Sequence, residues 1–334
     1  MHKPLADRAQ TDRTQIDRSN NDSTVGEDVL ADLTSPTVDA LEGLSGVHPG
    51  NRRVHAKGIC GRAVFMPSGL AAGLTIAAHL RDKGKEIEAV VRFSGSSSDP
   101  SLADLLSPGK GLAVRFMPAD GEVSVLTAVT VPVFFAKTPA SFFDLIKEAN
   151  RLKGGGIEAI AAAAELATHF PEARHAMAHI GKLRPPKSYG TCRYYAIHAF
   201  MLVDGEGNRR PAKFEWMPEL GVETLSVTEL KSLPEDYLEL DAAARIKGAP
   251  LRFRLNIVLG QEDDPTDDPT LPWPEDRQRI EAGVLSVTAV IAEPDGLVMD
   301  PTMTGAGIEL TDDPILRFRS PVYRESLRRR SGGR

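Results

Sequence analysis

A chain of 334 residues, 41% of them apolar, can bury a large core, either as one large domain or as two smaller ones. A formal net charge of −6 argues against general binding to nucleic acid or to anionic membrane, and two cysteines, Cys60 and Cys192, are too few for a disulfide framework. No apolar run approaches membrane-spanning length, and the N-terminus lacks the apolar centre of a secretory leader, so a cytoplasmic protein without a membrane span is expected.

Residues 1–27 are polar and charged with almost no apolar periodicity, which predicts a disordered tail ahead of a single domain at 28–334. Strands are expected at Ala63 to Met66, Ala89 to Ser94, Leu112 to Met117 and Val123 to Thr130. Along the second of these, Arg92 and Ser94 share one face while Val91 and Phe93 take the other, so both polar side chains can reach one pocket. Thr138 reads as an N-cap with Pro139 at the first helical position, followed by Phe142, Leu145, Ile146 and Ala149 at helical spacing. An Ala-rich helix is expected from Ile157 to Ala167, after Gly154-Gly155-Gly156. Pro185-Pro186 connects the two strand groups.

The second group comprises Tyr195 to Val203, Ala212 to Met217, Leu251 to Leu259 and Val284 to Ala292. The turn Asp204 to Asn208 makes a hairpin of the first two. A short helix is expected from Ser226 to Leu233. Many strands with polar turns predict a closed barrel or a sandwich, and periodicity alone does not choose between them.

Two spacings carry chemistry. Arg319 precedes Tyr323 by four residues, which on a helix puts both on one face. A phenol with an ordinary pKa near ~10 is a poor metal ligand until a fixed cation favours its phenolate. Far upstream, His55 in Arg52-Arg53-Val54-His55-Ala56-Lys57-Gly58 is a candidate acid–base group, and Ser94 a candidate to orient it. His175 and His179 stand at i, i+4, but no acidic residue follows His175 and no third ligand is evident, so a metal site is not expected there. The acidic loop Glu262 to Pro269 does not have the spacing of a calcium loop.

Arg52 to Gly58, Val90-Val91-Arg92-Phe93-Ser94, Gly111 to Phe116, Val131-Pro132-Val133-Phe134-Phe135, Asp300-Pro301, Gly307-Ile308-Glu309, Asp312-Asp313-Pro314 and Arg319 to Tyr323 follow one another in order. Together they resemble the haem catalases over residues 45–330, and Tyr195 to Phe200 is similar to the short catalase-related peroxidases in particular. The resemblance implies an α+β fold, a closed antiparallel β-barrel with surrounding helices that binds haem b. It implies Tyr323 as axial ligand to the haem iron with Arg319 beside it, and His55 with Ser94 as the catalytic pair. It also implies Arg52, Arg92 and Arg330 on the propionates and Phe142 stacked on the porphyrin. The implied activity is a peroxidase reducing hydrogen peroxide or organic hydroperoxides with a small reductant, with weak catalase activity.

Long catalases carry an Asn pair directly before the segment matching Val131-Pro132, where this chain has Val129-Thr130. The exchange predicts poorer handling of hydrogen peroxide and better tolerance of organic hydroperoxides. The chain also ends soon after Tyr323, without the C-terminal helices and arm motifs of long catalases, so a homodimer without an NADPH site is expected. The rival readings are an enzyme rearranging fatty-acid hydroperoxides and a non-enzymatic haem-binding protein. Val54, where rearranging relatives place a Thr, speaks against the first, and retention of His55 with Ser94 speaks against the second.

Overall fold

The computed structural model describes residues 20–119, 122–153 and 168–332. Ten antiparallel strands form its centre: β1 (Gly58–Pro67), β2 (Ile87–Gly95), β3 (Lys110–Met117), β4 (Ser124–Val129), β5 (Tyr194–Tyr195), β6 (Phe200–Val203), β7 (Arg209–Pro218), β8 (Leu251–Leu259), β9 (Arg279–Ile291) and β10 (Ile308–Leu310). In space they run β10-β6-β7-β5-β4-β3-β2-β1-β9-β8, and β8 pairs back onto β7. That last pairing closes eight strands into a barrel, with β6 and β10 hanging from β7 as a flap. Closure removes the free strand edges that a sandwich would have to protect.

Aromatic side chains fill the barrel. Phe65, Phe93, Phe116, Trp216 and Phe253 are fully buried. Phe65 meets Phe116 edge-on at 5.2 Å between centroids, and Phe93 meets Phe253 at 5.8 Å. Burial of such rings contributes about 1.5–3 kcal/mol each, so this core dominates the barrel's stability. Leu251, Phe253, Leu255 and Ile257 point inward while Arg252 and Arg254 are exposed, as the alternation predicts.

The stretch Tyr195 to Val203, expected as one strand, is two. Tyr195 pairs with Glu215 and Phe200 with Ala212, so residues 196–199 face only Lys213 and Phe214 on β7. Two surplus residues must bulge, and the bulge carries His198 out of the ladder to bond Asp313.

Among the described residues, six helices surround the barrel: α1 (Asn20–Ser45), α2 (Ala78–Arg81), α3 (Pro139–Lys153), α4 (Arg174–Ile180), α5 (Tyr237–Gly248) and α6 (Pro314–Arg330). α1 starts within the stretch 1–27 expected as tail, and residues 1–19 lie outside the described residues. The Ala-rich helix expected at 157–167 also lies outside them. α3 begins as expected, with Thr138 Oγ1 accepting from Ser141 N at 3.1 Å. The helix expected at 226–233 is only a single 3₁₀ turn, Glu229–Ser232. Ser226 N and Oγ both donate to the Glu229 carboxylate, and Pro234 stands two residues past the turn, so it is capped and stopped before it can lengthen.

α1 packs against both α3 and α6. Arg329 on α6 bonds Asp39 and Glu42 of α1 at 2.7 and 2.9 Å, and Arg53 also donates to Glu42. Arg53 N donates to Ser326 Oγ at 3.3 Å. These bonds tie α6 to α1 and to the loop that carries His55.

Candidate active site

Five strands supply one floor. Gly58 on β1, Ser94 on β2, Gly111 on β3, Val129 on β4 and Tyr195 on β5 stand directly opposite one another in register. Directly paired residues share a face, and these share the outer one, since Phe93 beside Ser94 points into the barrel. Gly111 is a structural requirement here. A Cβ on it would lie 2.8 Å from Ser94 Oγ and 3.1 Å from His55 Nδ1.

Into that gap comes His55, from the loop before β1. Its φ is +56°, the only positive value at a non-glycine position among the described residues. A β-carbon makes that conformation costly, by about 1–3 kcal/mol, so surrounding contacts must hold it. His55 Nδ1 lies 3.0 Å from Ser94 Oγ. Burial first, then the charges of Arg92, Arg319 and Arg52, push its pKa down to about 4, against a hydrogen bond to the Gly95 backbone. At neutral pH the imidazole is therefore an uncharged base.

Arg319 and Tyr323 meet on α6 as their spacing predicts. Arg319 Nη2 donates to Tyr323 Oη at 2.6 Å, and its guanidinium lies 5.3 Å from the ring centroid. The phenolic oxygen faces a permanent cation, the arrangement that favours phenolate. The start of α6 is set by Asp313, whose Oδ1 accepts from Ile315 N and Leu316 N at 2.8 and 3.1 Å, with Pro314 at the first position. The other oxygen of Asp313 takes His198 Nδ1 at 2.6 Å, both groups being fully buried. Burial chiefly, with Arg319 and Lys213 adding, lowers the His198 pKa despite Asp313.

Arg52, Arg92 and Arg330 come together around a carboxylate that sequence reading missed. Arg52 Nη1 donates to Glu293 Oε1 at 2.5 Å and Arg92 Nε to Oε2 at 3.2 Å. Arg52 and Arg330 both donate to the Leu297 carbonyl, at 3.0 and 2.5 Å. Burial would raise the Glu293 pKa, but the hydrogen bond and charge of Arg52, with Arg92 and Arg330, hold it below the usual range. Burial, then Arg52 and Arg92, push Arg330 down to about 10. A cavity of about 330 Å³ opens beside Arg52, Glu293 and Arg330.

Phe142 lies in a half-buried cluster with Phe134 and Phe135 at 5.6 and 5.7 Å. Phe134 reaches the His198 ring at 6.5 Å, which joins this cluster to the Asp313 side. The sequence offered Asp313 only within the run Asp312-Asp313-Pro314, with no capping role. His198 and Glu293 gave no local signal of a role, since each acts through a partner 115 or more positions away.

No cluster of metal-ligating side chains occurs among the described residues, His175 and His179 included. In the acidic loop, Asp264 is taken up by Arg277 and Asp268 by Lys137. Lys57 pairs with buried Asp104 at 3.1 Å, and burial first, then Glu293, raises the Cys60 thiol to about 11, so neither is a nucleophile.

The sequence profile described as Catalase matches residues 11–334. A catalase-related peroxidase of Synechococcus elongatus is 30% identical over 315 residues, covering 93% of this chain and 92% of that protein. A catalase-related peroxidase of Mycolicibacterium paratuberculosis is 33% identical over 300 residues, covering 88% and 94%. Catalase-2 of Bacillus subtilis is 27% identical over 302 residues, which is 84% of this chain but 44% of that longer protein. With this match, the closed barrel and the two residue pairs outside it, the chain belongs to the catalase family.

Proposed function

We propose that the chain is a haem b-dependent peroxidase that reduces hydrogen peroxide and organic hydroperoxides. The observation that carries the reading is the convergence of two built pairs. His55 on Ser94 and Tyr323 on Arg319 lie close enough for the Arg319 charge to depress the His55 pKa. The donor set fits the cofactor. Arg52, Arg92 and Arg330 set three guanidiniums against the single Glu293 carboxylate, an excess that two propionates would neutralise. Phe142 with Phe134 and Phe135 offers flat apolar faces to a porphyrin.

Bound there, haem supplies a ferric centre at which a peroxide O–O bond breaks and from which oxidising equivalents pass to a reductant. Tyr323 would hold the iron as phenolate, with Arg319 offsetting its charge. Ser94 accepts from Nδ1–H of His55, which leaves Nε2 free to take one peroxide proton and return it to the departing oxygen. Val129 lines the same face with an isopropyl group where a hydrogen-bonding side chain would favour the smaller, more polar peroxide. The reading carries with it a small reductant, a homodimer and a cytoplasmic setting. Among the described residues no helix is long and apolar enough to cross a membrane.

The test is reconstitution with haem followed by absorption spectra before and after peroxide. A ferric tyrosinate spectrum that changes on adding peroxide and recovers on adding reductant is expected. Tyr323→Phe should lose most of its haem, and a variant with wild-type occupancy and spectrum would remove Tyr323 as ligand.

A further inference from the structure

Glu293 follows β9 in a turn closed by Leu297 N donating to Pro294 O at 3.1 Å. Its carboxylate reaches two arginines from far earlier in the chain, Arg52 from the His55 loop and Arg92 from β2. The geometry of the three is unequal. The Arg92 side chain is 6% exposed and that of Arg52 14%, whereas that of Glu293 is 37% exposed. Arg92 is further held by its Nη2 donating to the Ala56 carbonyl at 3.0 Å, and Arg52 by its bond to Leu297. The arginines are anchored, and the carboxylate can turn to water while they stay.

We propose that Glu293 is a positioning residue of the carboxylate clamp: it takes, on Arg52 and Arg92, donors that a propionate needs, and so stabilises the haem-free chain while weakening haem retention. The inference rests on the haem reading above. Two like carboxylates, one from the chain and one from the ligand, compete for the same forked donors. Without Glu293, three guanidiniums near one another repel, which destabilises the chain when no propionate is present. With haem in place, the same removal frees Arg52 and Arg92 for bidentate bonds.

The competition predicts effects of opposite sign, which a merely structural residue does not produce. In Glu293→Gln, the thermal midpoint of haem-free protein should fall. Haem transfer from the loaded variant to excess apomyoglobin should slow, by about fivefold if the partly exposed ion pairs are worth ~1 kcal/mol. Glu293→Asp keeps the charge but withdraws it by one methylene, and should show a smaller slowing; it serves as the test if the Gln variant does not fold. Haem loss from these variants as fast as or faster than from wild type would overturn the proposal while leaving the haem reading intact. A wild-type chain that takes up no haem, or that holds haem dimethyl ester as tightly as haem, would instead overturn the propionate clamp itself and this role with it.

Discussion

His55 combines a strained backbone, a hydroxyl partner and a pKa near 4, and each has a measurable consequence. A base works only while unprotonated, so the second-order rate with peroxide should be flat from pH 8 down to about 5 and fall with a midpoint near 4. His55→Ala should still bind haem yet react with peroxide ~10²–10⁴-fold more slowly, by stopped-flow. An acid limb near the ordinary histidine value of about 6.5 would show that burial does not control this group. Two strands away, Val129→Asn should raise oxygen release from hydrogen peroxide relative to oxidation of a reductant, and help bulky hydroperoxides little. A donor aimed at developing charge is worth ~2.7–4 kcal/mol by analogy with oxyanion holes, whereas an unpartnered amide costs ~1–3 kcal/mol of stability. An unchanged ratio in a folded, haem-replete variant would free position 129 of that role. His55, Ser94 and Tyr323 were legible because their neighbours in sequence hold the motif. Glu293 was not, because its partners Arg52 and Arg92 lie 241 and 201 positions away.

α6 places Arg319 and Tyr323, and Asp313 places α6. Its side chain accepts from the first two free helical N–H groups and from His198, so one residue serves both the cap and the buried bond. Asp313→Ala should therefore cost more than the ~0.5–2 kcal/mol of a cap, because His198 loses its Nδ1 partner as well, worth ~1–3 kcal/mol. The two losses share a helix start and need not add. The expected readouts are a lowered thermal midpoint together with weaker haem retention, and Asp313→Asn, which keeps a capping oxygen, should recover part of both. A variant with normal stability and normal haem content would show that the helix start does not position Tyr323. Strand periodicity exposed β1 to β4 and β7 to β9, since alternate burial is written into the residues themselves. The break between β5 and β6 was hidden, because Tyr195 to Val203 is apolar enough for one strand and the two-residue bulge answers to Asp313 rather than to local preference.

Periodicity could not tell barrel from sandwich, because closure is one long-range pairing, β7 with β8, that leaves no mark on either strand alone. α6 is joined to α1 through the Arg329 ion pairs with Asp39 and Glu42, and that makes acid the revealing stress. Buried His55 and His198 both have lowered pKa values, so the unfolded chain takes up their protons near pH 6.5 while the folded chain resists until about 4 at His55. Folded groups that refuse protons lose stability as pH falls, so the decline should start just below 6.5. Glu325, held down to about 2 by its hydrogen bond to Arg328 and by Arg329, acts in a lower window, as do Glu293 and Asp264. A depressed carboxylate contributes fully above its unfolded value near ~4 and is lost as pH drops through its folded value. Thermal midpoint against pH should thus fall in two stages, first from about 6.5 to 4 and then more steeply below 4. His55→Gln should make the first stage shallower, leaving the share of His198, and leave the second stage, because Gln cannot take the proton that the unfolded histidine takes. A first stage of equal slope in that variant would assign the loss to other groups, and a midpoint flat from pH 7 to 4 in the wild type would show that neither histidine is held neutral by the fold.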